Sequence, residues 1–250
     1  MTERFKGKVA VVTGGNSGIG LATAKAFARE GAQVAITGRD DTTLGAAAKE
    51  IGPGTLAIKA DVSRLPEIAA AMGRIKERFG RIDALFVNAG IGRFVPFEEV
   101  TEAFFDETMG TNLKGAFFTI QKAVPLLAPG AAVVLNASIN AHMGLANSSV
   151  YGASKAAVVN MAKTLSADLL ARGVRVNVVS PGPVETPIFG RMGMSGEQLS
   201  QMKNWITEQV PLKRFGHPDE IAAAVLFLSS DESKFIVGTE IVVDGGMIQL

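Results

Sequence analysis

Cysteine is absent from this chain of 250 residues, and tyrosine and tryptophan occur once each. Without cysteine, disulfide bonds and thiolate metal sites are excluded. An excess of charge is also lacking, because 25 basic and 24 acidic side chains leave a formal net charge of +1. This balance argues against nucleic acid or an acidic membrane as a partner. A hydrophobic content of 47% with 20% charged residues is typical of a folded chain.

Long hydrophobic runs are missing as well. The first eight residues, MTERFKGK, are charged and lack the apolar stretch of a secretory signal. The longest apolar runs elsewhere are too short to cross a bilayer as a helix. We therefore expect a soluble cytoplasmic protein.

The chain has a regular alternation of short apolar runs with longer Ala-rich segments of helical period. The runs predict buried strands, and the segments predict helices that end at glycines. This alternation is typical of a parallel sheet with helices on both faces. We predict one α/β domain over residues 1–250, a Rossmann-type doubly wound parallel sheet of about seven strands. The predicted strands are 9–13, 33–37, 56–60, 82–87, 131–137, 174–180 and 240–243.

Two predicted segments are unusually long. Residues 101–127 have the pattern of one continuous helix that ends near Pro129. Residues 181–211 are irregular, rich in Pro, Gly and Met, and contain Trp205. Because a long segment after a strand's carboxyl end often covers a ligand crevice, we predict a substrate lid at about 187–211. A surface insertion is the alternative.

A glycine-rich turn, TGGNSGIG, joins the first strand to the first helix. Its glycines permit a close approach of the backbone to a pyrophosphate. The helix that follows offers free N–H groups and the positive end of its dipole to an anion. The spacing is GxxxGxG, and its strand–turn–helix setting predicts a dinucleotide site. The expected contacts are Gly14, Asn16, Ser17, Gly18, Ile19 and Gly20.

The second strand ends at Gly38 and Arg39, where an NAD site usually offers a carboxylate to the ribose. Gly38 offers none, whereas the guanidinium of Arg39 suits a 2′-phosphate. We therefore expect NADP(H) to be preferred, with NAD(H) left open. Asp40 and Asp41 are expected to begin the next helix, where their charges suit its dipole. A solvated surface charge is the alternative interpretation of Arg39.

Tyr151, the only tyrosine, lies four residues before Lys155 and thirteen after Ser138. On a helix, a four-residue spacing places the phenol and the ammonium on one face. A neighbouring ammonium is expected to lower the pKa of the phenol from about 10 toward working pH. Such a phenol can give a proton to a carbonyl oxygen or take one from an alcohol, and the Ser138 hydroxyl can bind the same oxygen. A core tyrosine beside a surface lysine is the alternative.

Over essentially its whole length, the chain resembles the short-chain dehydrogenase/reductase family. The resemblance is to the branch with 3-oxoacyl reductases, sugar dehydrogenases and secondary-alcohol dehydrogenases. It implies an NAD(P)-dependent enzyme acting on CH–OH donors, which moves hydride between nicotinamide and a ketone or secondary alcohol without a metal. The matching stretches are TGGNSGIG, Asp61-Val62, Asn88-Ala89-Gly90, Asn112, Ser138, Tyr151-Gly152-Ala153-Ser154-Lys155, Pro181-Gly182-Pro183-Val184-Glu185-Thr186 and Val243-Asp244-Gly245-Gly246.

The resemblance also implies roles for these residues. Tyr151 would be the general acid in reduction and the base in oxidation, and Ser138 would orient the carbonyl. Lys155 would hold the nicotinamide ribose. Asn112, in a locally disturbed part of the long helix, would help hold a water that links Lys155 to solvent. The implied cofactor contacts are Gly38, Arg39, Asp61, Val62, Asn88, Ala89, Gly90, Tyr151, Lys155, Pro181, Gly182, Val184 and Thr186.

Two positions depart from the family pattern. Val87 stands where a second asparagine is frequent, which is expected to cost a hydrogen bond. Ser17 stands where NADP-dependent members often carry a basic residue, so the NADP(H) preference depends on Arg39.

The substrate stays open at this stage. A mostly apolar pocket from residues 92–97, 139–147 and 188–205 favours a ketone, ketoester or 3-oxoacyl compound, with a sugar or polyol as the alternative. A non-catalytic NADP(H)-binding sensor is an alternative of a different class. His142 faces either the substrate or solvent. The resemblance further implies a homotetramer through helices 101–127 and 150–171 and the C-terminal strand.

Overall fold

The most apolar runs of the sequence form the middle of a parallel sheet, because a strand covered on both sides must be apolar on both sides. The computed structural model describes residues 3–187 and 196–250. Within them, seven parallel strands pair in the order β3-β2-β1-β4-β5-β6-β7. They are β1 Val9–Thr13, β2 Gln33–Gly38, β3 Leu56–Lys59, β4 Ile82–Val87, β5 Leu127–Asn136, β6 Arg175–Pro181 and β7 Glu240–Val243.

Helices cover both faces of this sheet. Alternate strand residues such as Val11 and Val12 point into two separate apolar clusters. The first cluster is closed by α3, α5 and α6, and the second by α1, α2 and α8. The predicted doubly wound fold is therefore confirmed. The helices are α1 Gly18–Arg29, α2 Asp41–Ile51, α3 Leu65–Phe79, α4 Glu102–Met109, α5 Gly115–Ala123, α6 Ser149–Leu169, α7 Gly196–Gln209 and α8 Pro218–Ser229.

The strand order reverses between β1 and β4. From β1 the chain moves outward to β2 and β3, and it then returns to the other side of β1 as β4. In open α/β sheets a ligand crevice lies outside the carboxyl ends of the strands at such a reversal. By this rule, a crevice is expected between the glycine-rich turn after β1 and Asn88 to Gly90 after β4.

The prediction of one helix over 101–127 was wrong. The segment consists of α4, a π turn at Gly110–Lys114, α5 and a 3₁₀ turn at Val124–Leu126. Pro125 has no N–H for a helical hydrogen bond, which explains why regular helix ends at Ala123. Residue 127 already begins β5, four residues before the predicted start.

The second long segment also differs from its prediction. Residues 196–209 of the region expected to be irregular form helix α7, which buries none of its side chains fully. Of the predicted lid, residues 188–195 lie outside the described part of the chain, including the pocket candidates Ile188, Phe189, Met192 and Met194. Across residues 3–187 and 196–250, every helix is too short or too polar to traverse a bilayer.

Candidate active site

Ser138, Tyr151 and Lys155 meet at the carboxyl ends of the strands. Ser138 follows β5 by two residues and caps a 3₁₀ turn, where its Oγ accepts a hydrogen bond from the amide of Asn140 at 3.2 Å. Tyr151 and Lys155 lie one helical turn apart near the start of α6, and the Ser138 hydroxyl lies near enough to the phenol to influence its pKa. The Lys155 Nζ atom lies 5.8 Å from the centre of the tyrosine ring. The three side chains that the sequence singled out therefore converge.

Lys155 is buried, with 5% of its surface exposed. Its Nζ donates a 2.8 Å hydrogen bond to the main-chain carbonyl of Asn136, the last residue of β5. Burial disfavours the ammonium and lowers the pKa of Lys155 from its ordinary value of 10.5 to about 8. Near neutral pH this lysine is therefore still protonated, although its burial disfavours the positive charge.

The pKa of Tyr151 moves in the direction opposite to the one expected from the sequence. Desolvation of the phenol inside the protein raises its pKa, and the neighbouring Ser138 hydroxyl opposes this only in part. The ammonium of Lys155 donates to the Asn136 carbonyl, and no hydrogen bond from it to the phenol oxygen is found among the described residues. The predicted lowering of the Tyr151 pKa by Lys155 is therefore absent from this arrangement of the chain.

Asn112 lies at the centre of the π turn, where the sequence led us to expect a disturbed helix. Its Oδ1 accepts from the amide of Ile91 at 2.8 Å, and its Nδ2 donates to the Ile91 carbonyl at 3.0 Å. The same Nδ2 lies 3.1 Å from Oγ of Ser154, the neighbour of Lys155. The side chain thus ties the segment after β4 to α6. π turns often occur at functional sites.

At several of its glycines, the glycine-rich turn is packed too closely for a Cβ atom. Gly14 has a φ of 63°, a conformation that glycine adopts without strain. A Cβ atom on Gly20 would lie 2.2 Å from the carbonyl oxygen of Gly14. On Gly38, at the end of β2, a Cβ would lie 2.7 Å from Oδ1 of Asn16. The N-terminal end of α1 is consequently open to an anion without obstruction by side chains.

We expect Gly20→Ala to weaken binding of a dinucleotide at least tenfold and to lower the free energy of unfolding by roughly 1–3 kcal/mol. The added methyl group must displace the Gly14 carbonyl and reshape the turn. Titration calorimetry with NADPH and thermal unfolding would measure both effects. Gly45→Ala in α2 is the matched control, because its Cβ meets nothing within 4 Å. Equal behaviour of the two variants would contradict the prediction.

At the adenosine end of the crevice, Arg39 is exposed and makes no hydrogen bond or ion pair with residues 3–187 or 196–250. The carboxylates of the next two residues, Asp40 and Asp41, interact with groups other than Arg39. Asp40 caps α2 by accepting from the amide of Thr43 at 2.8 Å, and Asp41 pairs with Lys59 at 2.7 Å. The expectation that both begin the next helix is confirmed. The guanidinium of Arg39 is thus left free for an anion.

Asp61 and Val62 follow β3 at the same edge. The Oδ1 atom of Asp61 accepts from the amide and the hydroxyl of Ser63, at 2.9 and 2.8 Å. These bonds hold the half-buried carboxylate in place beside the buried side chain of Val62. A fixed acceptor beside an apolar surface suits the amino group and the ring of a purine.

The segment after β6 is held in place by main-chain hydrogen bonds. Val184 pairs with Gly216 through the carbonyl of Pro183 and the amide of Glu185, both at 2.9 Å. This pairing leaves the amide of Val184 on the opposite side of the chain. The Gly182 amide bonds to the Val243 carbonyl at 3.0 Å after Pro181, and the methyl group of Thr186 would meet a Cβ of Gly18 at 3.2 Å.

Asn88, Ala89 and Gly90 join the two halves of the crevice. The amides of Asn88 and Ala89 donate to the Thr13 hydroxyl, at 2.9 and 3.0 Å. A Cβ on Gly90 would lie 3.1 Å from Asn112 Oδ1. Val87 packs in the apolar cluster under α5.

Asn136 is a site residue that sequence reasoning missed. Its Nδ2 donates to Asn88 Oδ1 at 2.9 Å, and its carbonyl accepts from Lys155. A polar side chain that ends an otherwise apolar strand, two residues before Ser138, was the signal available in the sequence.

His142 is bound to another side chain rather than directed at a substrate. Its Nε2 lies 2.7 Å from Oε1 of Glu240 at the start of β7, and the same carboxylate oxygen accepts from the buried hydroxyl of Ser180. The imidazole side chain is 37% exposed. The 3₁₀ turn after Ser138 is thereby attached to the edge of the sheet.

The pocket beside Tyr151 has an aromatic wall. The rings of Phe94 and Tyr151 lie 5.4 Å apart at an angle of 59°. The Val95 amide donates to the Asn147 carbonyl at 3.0 Å, which joins the two loops that border the pocket. Arg93 forms an ion pair with Glu107 and does not add a free cation to this wall.

Comparisons with known proteins agree with this geometry. The family model described as enoyl-(acyl carrier protein) reductase matches residues 14–248. The chain is 40% identical over 248 residues to D-threitol dehydrogenase of Mycolicibacterium smegmatis, covering 97% of this chain and 94% of the relative. It is 38% identical over 254 residues to the NADP-dependent (R)-specific alcohol dehydrogenase of Lentilactobacillus kefiri, covering 98% of each. It superposes with a TM-score of 0.89 on a short chain dehydrogenase from Burkholderia cenocepacia in complex with NADP, at 33% identity, covering 98% of this chain and 99% of the other.

Proposed function

Because this chain belongs to the short-chain dehydrogenase/reductase family and is an NAD(P)-dependent oxidoreductase acting on alcohol or carbonyl groups, we propose that it transfers hydride between NADP(H) and a ketone or secondary alcohol. Tyr151 is the general acid and base in this proposal. The observation that carries it is the convergence of Ser138, Tyr151 and Lys155 at the strand reversal.

The residues along the crevice fit a dinucleotide. The glycines of the turn between Gly14 and Gly20 leave no room for a Cβ atom at Gly20, and their bare backbone suits a pyrophosphate against the N-terminal end of α1. The carboxylate of Asp61 is held at the adenosine end, and the amide of Val184 is left free by its bridge to Gly216. Proposed cofactor contacts are therefore distributed along the whole length of the crevice.

When bound, the nicotinamide supplies or accepts the hydride. The chain's own residues hold the carbonyl oxygen and move its proton. In reduction, the phenol of Tyr151 donates a proton to that oxygen, and positioned proton transfer contributes about 10²–10⁴ in rate. The Ser138 hydroxyl, oriented by the amide of Asn140, binds the same oxygen as charge develops on it. Lys155 places a cation beneath the tyrosine ring, and Asn112 fixes the neighbouring Ser154.

We expect Arg39→Leu to weaken NADPH binding about tenfold or more, because a charge-assisted hydrogen bond contributes roughly 1.5–3 kcal/mol. NADH affinity should change less than about twofold, since NADH has no 2′-phosphate. Fluorescence titration with both cofactors would measure the ratio. Arg74→Leu on the exposed side of α3 is the control and should change neither affinity. A parallel loss of NADPH and NADH binding would refute the role of Arg39.

The pocket favours a ketone, ketoester or 3-oxoacyl substrate. Phe94 offers an aromatic face beside the reacting phenol, and the adjoining Arg93 is engaged with Glu107. We further propose that α7 covers this pocket as part of a lid within a single catalytic domain. NADPH consumption with a panel of aryl ketones, β-ketoesters, 3-oxoacyl thioesters and keto sugars tests the proposal. Turnover confined to keto sugars would indicate a polyol dehydrogenase, and tight NADPH binding without turnover would indicate a sensor.

A homotetramer is part of the proposal. The outer face of α4, the π turn, α5 and α6 carries a cavity of about 900 Å³ lined by Met109, Leu113, Phe117, Phe118 and Met161, together with polar groups. An apolar face of this kind favours burial against a second copy. Light scattering coupled to gel filtration would distinguish four copies from two or one. A cytoplasmic location stays a prediction.

A further inference from the structure

Asn136 links Lys155 to Asn88, and Asn88 is in turn hydrogen-bonded to the glycine-rich turn. Its main-chain carbonyl accepts the Nζ–H of Lys155 at 2.8 Å. Its Nδ2 donates to Asn88 Oδ1 at 2.9 Å. Asn88 in turn donates through its own Nδ2 to the carbonyls of Thr13 and Gly14, at 3.0 and 3.2 Å.

The orientation of both amides is determined by these partners. Asn88 Nδ2 faces two main-chain carbonyls, which only accept, so Asn88 Oδ1 must face Asn136. Asn136 must therefore present Nδ2, and its Oδ1 points elsewhere. That Oδ1 atom is buried and has no hydrogen-bond partner within residues 3–187 and 196–250. A buried acceptor without a partner is unfavourable for folding, and a reason for its retention is best sought in function.

Resting on the proposed function, we infer that Asn136 is a positioning residue that couples Lys155 to the pyrophosphate-binding turn across β5, β4 and β1. Its carbonyl sets the position of the ammonium, and its side-chain amide holds Asn88 against Thr13 and Gly14. Docking of the cofactor phosphates at the turn and placement of Lys155 at the nicotinamide end then depend on one hydrogen-bonded chain. Asn136 need not touch the reacting atoms for this.

Asn88 and Lys155 are also packed closely against two glycines. A Cβ on Gly14 would lie 3.0 Å from Asn88 Nδ2, so the position of that amide limits the path of the turn. A Cβ on Gly90 would lie 3.6 Å from Lys155 Nζ, so the ammonium is enclosed from the β4 side as well. A small displacement of Asn88 or Lys155 would therefore change the positions of groups at both ends of the crevice.

Replacement by leucine, Asn136→Leu, separates this role from a purely structural one. Leucine has a similar size, retains the main-chain carbonyl and removes the buried Oδ1. It leaves Asn88 Oδ1 without its donor, so one unsatisfied acceptor replaces another and the melting temperature should change little. The dissociation constant for NADPH should rise about tenfold, the effect of one lost hydrogen bond, because Asn88 is no longer held against the turn.

The experiment measures thermal unfolding, NADPH binding by fluorescence titration, and kcat and KM for a carbonyl substrate. We expect kcat and NADPH affinity each to fall about tenfold while the carbonyl KM changes less than about twofold. Asn88→Ala combined with Asn136→Leu should cost little more NADPH affinity than Asn88→Ala alone, because both act through one chain of bonds. The control Asn177→Leu removes a buried asparagine whose side chain, among the described residues, bonds only to Ile236 and Thr239, and it should lower stability without changing NADPH affinity.

The outcomes separate the two proposals. A lower melting temperature with unchanged NADPH affinity and kcat per folded molecule would make Asn136 merely structural and overturn the inference. Fully additive losses in the double variant would also overturn it. NADPH binding by the unmodified protein without turnover of any carbonyl compound would instead refute the proposed function, and the binding measurements would still decide the coupling.

Discussion

Tyr151→Phe is expected to lower kcat about 10³-fold, within the range of about 10²–10⁴ for positioned proton transfer, and to change NADPH affinity less than about threefold. The substitution removes the acid that serves the carbonyl oxygen. It leaves the aromatic contact with Phe94 and the bond from Lys155 to the Asn136 carbonyl in place. Single-turnover oxidation of bound NADPH would measure the loss directly. Retention of a tenth or more of the wild-type rate would contradict the assignment of Tyr151 as the general acid.

The same residue provides a spectroscopic check, since the ultraviolet signal of tyrosinate comes from Tyr151 alone. Burial raises the pKa of Tyr151, so the titration midpoint of the folded, cofactor-free protein should lie above its ordinary value of 10.0. A folded-state pKa above the unfolded one contributes stability below pH 10 that is lost as the pH rises through the folded value. A midpoint below 10 would show that Lys155 outweighs burial.

Lys155→Met is expected to lower kcat/KM about 10²-fold or more and to raise the free energy of unfolding at pH 7. Methionine has a similar length and removes a buried cation whose pKa lies at about 8 in place of 10.5. Lowering the pKa from 10.5 to about 8 corresponds to roughly 3 kcal/mol, and the lost hydrogen bond to Asn136 offsets about 1 kcal/mol, so a net gain of roughly 2 kcal/mol follows. Chemical denaturation and steady-state kinetics would measure the two effects.

The sign of this gain determines its pH dependence. A lysine with a depressed pKa contributes stability above pH 10.5 that is lost as the pH falls toward 8, so the advantage of methionine should be complete below about pH 8 and vanish above 10.5. Lys163→Met, at an exposed position on the same helix, is the control and should alter neither stability nor kinetics. Equal stability of Lys155→Met and the wild type at pH 7 would contradict the claim that the buried Lys155 ammonium destabilises the folded protein.

The properties that could be predicted from the sequence are those set by local spacing. Alternating apolar runs and helical segments predicted which parts of the chain form the parallel strands, because each strand must be apolar on both covered faces. The four-residue spacing of Tyr151 and Lys155 placed both on one side of α6, and a helix requires nothing further for that. The glycine-rich turn that contains Gly20 could likewise be recognised from its residue order between a strand and a helix.

The tertiary structure decided everything that depends on partners distant in sequence. Helical period continues through residues 101–127, yet the chain there breaks into α4, a π turn and α5, with Asn112 bonded to Ile91. Charge proximity alone predicted a lower pKa for Tyr151, but burial, which only packing creates, raises it. The bond of His142 to Glu240 and the chain from Lys155 through Asn136 to Asn88 join residues 19–98 positions apart. Local sequence determines the periodicity of an element, whereas desolvation and long-range hydrogen bonds arise only when elements meet.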